Sequence, residues 1–292
     1  MKVAVSGATG FVGRHVVAEL TRRGISAVLL ARTPKALALL TGRHRVVACD
    51  LSSPPADLHE QCGQPNALIH LAWGGLPNYR SNHHFEEELP VQYRFLKQWV
   101  KAGLAQVVAV GTCLEYGLTC GALSEDQEAR PLNPYALAKD ALRRQLGFLK
   151  TEHDFSLTWA RLFYMHGEGQ APSSLWPQLL AAVARGDARF AMSGGEQLRD
   201  YLPVTKVARH LVDLALAGRE FGIVNVCWGR PTSVRSMVEG WISEHRWSIT
   251  PDLGRYPYPD YEPLAFWGDR SKLDRCIAPA ADSPPSFNTG AP

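Results

Sequence analysis

An α/β architecture built on a doubly wound parallel sheet is what this sequence predicts, and three observations carry that expectation. A short apolar run at residues 2–6 leads through Gly7-Ala8-Thr9-Gly10-Phe11-Val12-Gly13 into a helical stretch that ends near Arg23. Further short apolar runs recur at 27–31, 45–48, 67–71 and 106–110, the spacing of strands joined by crossovers. Tyr135 and Lys139 then stand one helical turn apart beyond the fifth run.

The first unit reads as strand, tight glycine turn and helix, the opening of a dinucleotide-binding Rossmann fold. Gly7 permits a sharp exit from the strand, Gly10 lets a pyrophosphate approach the backbone, and Gly13 lets the helix pack closely. Free N–H groups and the positive end of the helix dipole face the phosphates. Thr9, Phe11 and Val12 complete this loop as candidate cofactor contacts. The second run ends at Arg32, with Lys35 close behind. NAD-preferring folds carry an acid there for the ribose 2′-hydroxyl. A guanidinium suits a 2′-phosphate instead, so NADP is the preferred cofactor and NAD a possible one. A solvated basic pair at a helix start is the plainer alternative.

The third run ends in Cys49-Asp50-Leu51. Asp50 either accepts from the adenine amino group or caps the next turn, and Leu51 lies beside it. The fourth run leads into Leu71-Ala72-Trp73-Gly74-Gly75, where the crevice of an open α/β sheet takes its ligand.

With 292 residues, the chain is long enough for one large domain or two small ones. A formal net charge of +3 without a basic stripe argues against nucleic acid. A strand starting at Lys2 leaves no room for a signal peptide, and no apolar run is long enough to span a bilayer, so a cytoplasmic protein without a membrane partner is expected. The six cysteines form no Cys-x-x-Cys pair, which predicts reduced thiols. The ten histidines show no ligand spacing, so no metal site is expected. His83 and His84 are adjacent and would point in different directions.

Gln106–Val110 reads as a fifth buried strand followed by Gly111-Thr112-Cys113-Leu114-Glu115-Tyr116-Gly117, which sets Thr112 at the C-terminal end of a central strand. Asn133 is a good N-cap and Pro134 a good first helical residue. Tyr135 then lies in the first turn and Lys139 on the same face one turn on. A free phenol ionises at about 10. A nearby ammonium favours the phenolate and lowers that value by roughly 1–3 units, toward the range of acid/base work. Thr112 supplies a hydroxyl to orient a substrate oxygen. A Tyr-x-x-x-Lys pair by itself is equally a surface helix pair.

Taken in order, the glycine loop, Asp50-Leu51, Leu71-Ala72, the Thr112 segment, Tyr135/Lys139, Arg161-Leu162-Phe163 and Arg199-Asp200-Tyr201 resemble the extended short-chain dehydrogenases/reductases, the NAD-dependent epimerase/dehydratase family, in its nucleotide-sugar 4-ketoreductase branch. The match covers roughly residues 1–275. The resemblance implies Tyr135 as acid/base and Lys139 as the group that holds the nicotinamide ribose and lowers the Tyr135 pKa. It places Leu162 and Phe163 beside the nicotinamide ring, and Arg199 and Tyr201 at the phosphates and base of a sugar nucleotide. It also implies a homodimer in which helices over Phe85–Ala102 and Pro134–Lys150 pair with their copies. Leu89, Phe95, Leu96, Trp99, Leu142 and Leu146 would supply apolar surface, part of it facing the sheet.

Dehydratases of that family carry Thr-Asp-Glu at the Thr112 segment, because eliminating water takes an acid and a base beyond the tyrosine. Cys113 and Leu114 stand there instead, which argues against dehydration. Fucose-forming epimerase/reductases carry a cysteine two residues after the Ser/Thr, where this chain has Leu114, so Cys113 is given no proton-transfer role. What remains is hydride transfer at a ketone or alcohol. The segment Gly-Thr-Cys-Leu-Glu-Tyr-Gly is similar to that of reductases that make 6-deoxyhexoses from 4-keto sugars. A 4-epimerase with tightly bound NAD is the alternative. A non-catalytic NADP-sensing regulator is the alternative of another class, and the Tyr/Lys pair argues against it. Cys113 and Glu115 stand as candidate substrate contacts, with loop ordering as the plainer role of Glu115. Glu262 matches an acid that follows an arginine in the family's diphosphate grip, but Tyr256-Pro257-Tyr258-Pro259 occupies the place of that arginine, leaving Arg255 or Arg270 as replacements.

Two lobes follow from this reading. Residues 1–165 form the cofactor-binding Rossmann domain. Residues 166–278 form a smaller α/β substrate lobe with helices near 174–186, 204–218 and 232–247. Residues 279–292 are an irregular tail.

Overall fold

The computed structural model describes residues 1–33, 43–258 and 262–277; Lys35 and the 279–292 tail lie outside them. Its centre is a seven-stranded sheet of β1 (Val3–Ser6), β2 (Ala27–Ala31), β3 (Arg45–Ala48), β4 (Ala67–His70), β5 (Gln106–Thr112), β6 (Ser156–Leu162) and β7 (Gly222–Val226). The strands run in the order β3-β2-β1-β4-β5-β6-β7, and every neighbouring pair is parallel. The order reverses between β1 and β4, which opens a crevice at the C-terminal strand ends.

The strands are continuous apolar runs because helices cover both faces. The longer helices are α1 (Phe11–Arg22), α2 (Leu89–Lys101), α3 (Pro134–Leu149), α4 (Leu175–Arg185), α5 (Val204–Leu216), α6 (Val234–Glu244) and α7 (Ser271–Ile277). Alternate residues go to opposite faces. Val3, Val5, Ile69 and Val108 pack with Val16 and Leu20 of α1 and Val207 and Leu211 of α5. Leu68 and Val107 pack with Phe95, Leu96 and Trp99 of α2 and Leu142 and Leu146 of α3. Each such fully buried side chain contributes about 1.5–3 kcal/mol. A separate core joins Leu179 and Ala182 of α4, Phe190, Met192, Val238 and Trp241 of α6, and Ile249. No described helix is long and apolar enough to cross a membrane.

Two expectations need correction. A contiguous boundary near residue 165 does not hold, because the chain returns to the large sheet. β7 pairs with β6, and α5, Val224, Val226 and Leu273 complete the core beneath α1. The second lobe is therefore built mainly from α4, α6 and the strands 189–191 and 250–252. The apolar surface assigned to a two-fold bundle is also largely spent inside the protomer. Phe95, Leu96, Trp99, Leu142 and Leu146 are all buried against its own sheet. What α3 leaves outward is Leu137, 49% exposed, and Phe148, 74% exposed.

Candidate active site

The glycine loop joins β1 to α1 under close contact. Gly7 has φ +71°, and a Cβ there would stand 2.6 Å from the Ala72 backbone nitrogen. A Cβ on Gly13 would stand 2.0 Å from the Gly7 carbonyl oxygen. Gly10 begins α1 without a side-chain cap, and its N–H donates to Gly7 O at 3.0 Å. The first-turn N–H groups have no intrahelical acceptor and lie at the positive end of the helix. This cradle fits the pyrophosphate of a dinucleotide.

Across the crevice, Asn133 Oδ1 accepts from Ala136 N–H at 2.9 Å and Pro134 opens α3. That cap places Tyr135 in the first turn. Tyr135 and Lys139 are both buried. Lys139 Nζ donates to Val110 O at 3.0 Å. It lies 3.9 Å from the Trp73 ring centroid and 5.8 Å from that of Tyr135. Thr112 ends β5, and its Oγ1 accepts from Leu114 N–H at 3.2 Å.

These groups share one cavity of about 510 Å³. Its wall includes Gly7, Gly10, Phe11, Val12, Gly13, Leu71 and Trp73 from the cofactor set. Leu162, Phe163, Thr112, Cys113, Tyr135, Lys139 and Glu262 also line it. Thr9, Arg32, Asp50, Leu51, Ala72, Glu115, Arg199 and Tyr201 are not on that wall. Arg32 is exposed at the end of β2. Asp50 Oδ1 accepts from Ser52 N–H at 3.0 Å, the turn-capping alternative, and that bond with the nearby Arg32 holds its carboxyl below the usual range.

The expected lowering of the Tyr135 phenol is reversed. Burial pushes it above the ordinary tyrosine range, with Tyr79, Glu115 and Cys113 adding to the effect. Burial takes Lys139 down to about 7, against the attraction of Glu115 and Glu88. Desolvation is the main cause of both shifts. Burial also pushes the Cys113 thiol up, so it stays protonated.

Glu115 takes the loop-ordering alternative and serves as an internal brace, not as a substrate contact. It is fully buried and does not line the cavity. It accepts from Thr112 N–H at 2.8 Å, Trp159 Nε1 at 3.1 Å and Arg161 Nε at 2.7 Å. Burial pushes its carboxyl up, against the Arg161 guanidinium. The brace holds the end of β5, and therefore Thr112, to β6.

Arg199 lines an adjoining cavity with Tyr201, and Tyr164 and Glu262 line both. The Arg199 guanidinium is not free. Nη2 donates to Glu262 Oε2 at 2.9 Å, and Nη1 to the carbonyls of Leu198 and Leu264. The Tyr164 hydroxyl donates to the other Glu262 oxygen. Of the arginines considered as replacements, Arg255 pairs with Asp252 and Arg270 with Asp274. Tyr79 and Tyr164 were not singled out by sequence, Arg161 entered only as part of the family motif, and His84 was given no role. His84 had a signal in the His83-His84 pair, but its contacts with Trp73 and Tyr135 cross loops of no regular spacing.

The sequence pattern of the NAD dependent epimerase/dehydratase family matches residues 3–227. A dTDP-6-deoxy-L-talose 4-dehydrogenase (NAD(+)) from Aggregatibacter actinomycetemcomitans is 27% identical over 92% of this chain and 99% of its own length. A dTDP-6-deoxy-L-talose 4-dehydrogenase (NAD(P)(+)) from Kitasatospora kifunensis is 29% identical over 89% of this chain and 83% of its own. The solved structure of MoeE5 in complex with UDP-glucuronic acid and NAD superposes with a TM-score of 0.79 at 29% identity, covering 97% of this chain and 94% of that one. The glycine cradle, the Tyr135/Lys139 pair and the matched span agree: the chain belongs to the NAD dependent epimerase/dehydratase family and is an NAD(P)-dependent enzyme of the short-chain dehydrogenase type.

Proposed function

We propose that the protein reduces the 4-keto group of a nucleotide-linked 6-deoxyhexose, drawing on NADPH in preference to NADH. The observation that carries this reading is Cys113-Leu114 beside Thr112. A thiol held protonated by burial and an alkyl chain stand where elimination of water needs an acid and a base. Two relatives named as dTDP-6-deoxy-L-talose 4-dehydrogenases, matched over most of the chain, support ketone/alcohol interconversion at C4. The exposed Arg32 supports the choice of NADP.

The glycine loop and α1 N-terminus hold the dinucleotide, with Leu162 and Phe163 walling its reactive end. When bound, the nicotinamide supplies the hydride. Thr112 Oγ1 already accepts from Leu114 N–H, so its own hydrogen is left for donation to the ketone oxygen. Tyr135, kept protonated by burial, donates its phenolic proton to the oxygen as negative charge develops there. Lys139 places a cation beside that exchange. A homodimer is part of the proposal, with Leu137 and Phe148 as the apolar surface that α3 offers outward.

A screen of nucleotide-linked 4-keto-6-deoxy sugars with NADPH and NADH, followed at the nicotinamide absorbance, tests the reading. Stoichiometric NADPH oxidation is expected. Protein that purifies saturated with NAD and interconverts two hexose nucleotides without added cofactor would replace the reductase with a 4-epimerase.

A further inference from the structure

We propose that Trp73 is the positioning residue of Lys139: its indole, hung from His84, holds the ammonium against the Val110 carbonyl beside Tyr135. The proposal rests on Lys139 serving the reaction proposed above.

The geometry forms a chain of fixed polarity. His84 Nε2 lies 2.8 Å from Asn78 O. A carbonyl only accepts, so Nε2 carries the ring hydrogen. Nδ1 then holds a lone pair and accepts from Trp73 Nε1 at 3.1 Å. His84 is buried, and burial lowers its pKa, which keeps the ring neutral and the tether intact. The indole so oriented presents its face to Lys139 Nζ at 3.9 Å, well inside the reach of a cation–π contact. The same wall seats the phenol: the Tyr135 ring lies 6.0 Å from Trp73 and 5.2 Å from His84, both edge-on.

This contact matters because Lys139 is 2% exposed. The charged groups that act on it are the Glu88 and Glu115 carboxylates, which favour its ammonium. His70 and His84 also lie close, and burial keeps both neutral. With burial bringing Lys139 to about 7, a single favourable contact decides how much of it is charged at neutral pH. Loss of a desolvated cation–π contact lowers such a pKa by about one unit.

The test measures the pH profile of ketone reduction and, independently of turnover, the pH dependence of the NADPH dissociation constant followed by nicotinamide fluorescence. Trp73→Leu is expected to move the alkaline loss of both to lower pH by about one unit. Trp73→Phe keeps a ring face and moves them by less than about half of that. His84→Phe cuts the tether, leaves the indole, and moves them the same way by a smaller amount than Trp73→Leu. An unshifted alkaline limb in folded Trp73→Leu overturns the proposal. So does a shift in Trp73→Phe as large as in Trp73→Leu, which would assign the effect to the N–H and not the ring face. Where Trp73→Leu does not fold, Trp73→Met decides by the same limb. If no nucleotide sugar turns over, the substrate reading fails, and the NADPH titration still decides the role of the indole.

Discussion

On the sheet side of the cavity, the first-turn N–H groups of α1 have no internal acceptor, and Lys139 has one carbonyl and an aromatic face. In the adjoining cavity on the lobe side, the Arg199 guanidinium arrives already matched by Glu262 and two carbonyls. The first wall keeps its hydrogen-bonding capacity for a ligand. The second spends it on the fold, so that an anionic group entering there competes with Glu262. A cofactor site made of backbone is set by local geometry. A substrate site made of paired side chains is set by which pairs a ligand can displace.

The largest effect expected on this contrast is at Tyr135. Tyr135→Phe keeps the ring and removes the proton, so turnover should fall by ~10²–10⁴-fold. The NADPH dissociation constant should stay within about threefold, since the cradle is untouched. Near-normal turnover in the folded variant would sink the acid/base assignment.

Glu115 and Glu262 compare the carboxylate braces of the two sides. Removing Glu115 leaves Arg161 buried and unpaired, and Glu115→Ala should cost about 3–5 kcal/mol in urea unfolding. Glu262 is nearer the surface, with its side chain 12% exposed. Glu262→Ala should cost about 1–3 kcal/mol. An equal or reversed order would mean that the Arg199 pair, and not the Arg161 pair, is the main brace.

These two carboxylates also mark the limit of what was legible in sequence. The glycine loop, the strands β1 to β5 and the Tyr135/Lys139 turn follow from local signals: apolar runs, Gly7 and Gly13 at contact positions, Asn133 and Pro134 at a helix start. The loop-ordering half of Glu115 was legible, but its ties to Trp159 and Arg161 were not, because those partners come from β6, across α3. The return of α5 and β7 to the large sheet was missed for a similar reason. Amphipathic spacing in 204–216 predicts a helix, but not which sheet its apolar face meets. The sign of the Tyr135 shift was missed because a nearby ammonium is visible in sequence and desolvation is not.

Arg32 sharpens the cofactor half of the comparison. Its guanidinium is exposed and suits a 2′-phosphate by charge and geometry. NADPH should show a KM lower than NADH by about tenfold, and Arg32→Asp should equalise or reverse the order. A native preference for NADH would remove the argument for NADP and strengthen the 4-epimerase alternative.

The last effect expected is a slope in stability with pH, and it isolates the buried lysine. In the unfolded chain a lysine ionises at about 10.4, while burial in the fold takes Lys139 to about 7. Between those values the unfolded state binds more protons, so stability rises with pH. The lysine's relative contribution is complete above the unfolded value and is lost as pH falls through the folded one. Lys139→Met has no such proton. The stability of wild type relative to Lys139→Met, from urea unfolding at pH near 6, 8 and 9, should therefore be lowest and flat at the acid end. It should then rise by at most about 1.4 kcal/mol per pH unit above 7. Subtracting the two curves cancels the cysteines and histidines that titrate in both. A flat difference would mean that Trp73, Glu88 and Glu115 compensate the ammonium fully. The sheet wall would then be as well matched as Arg199 on the lobe wall, and the contrast between them would fail.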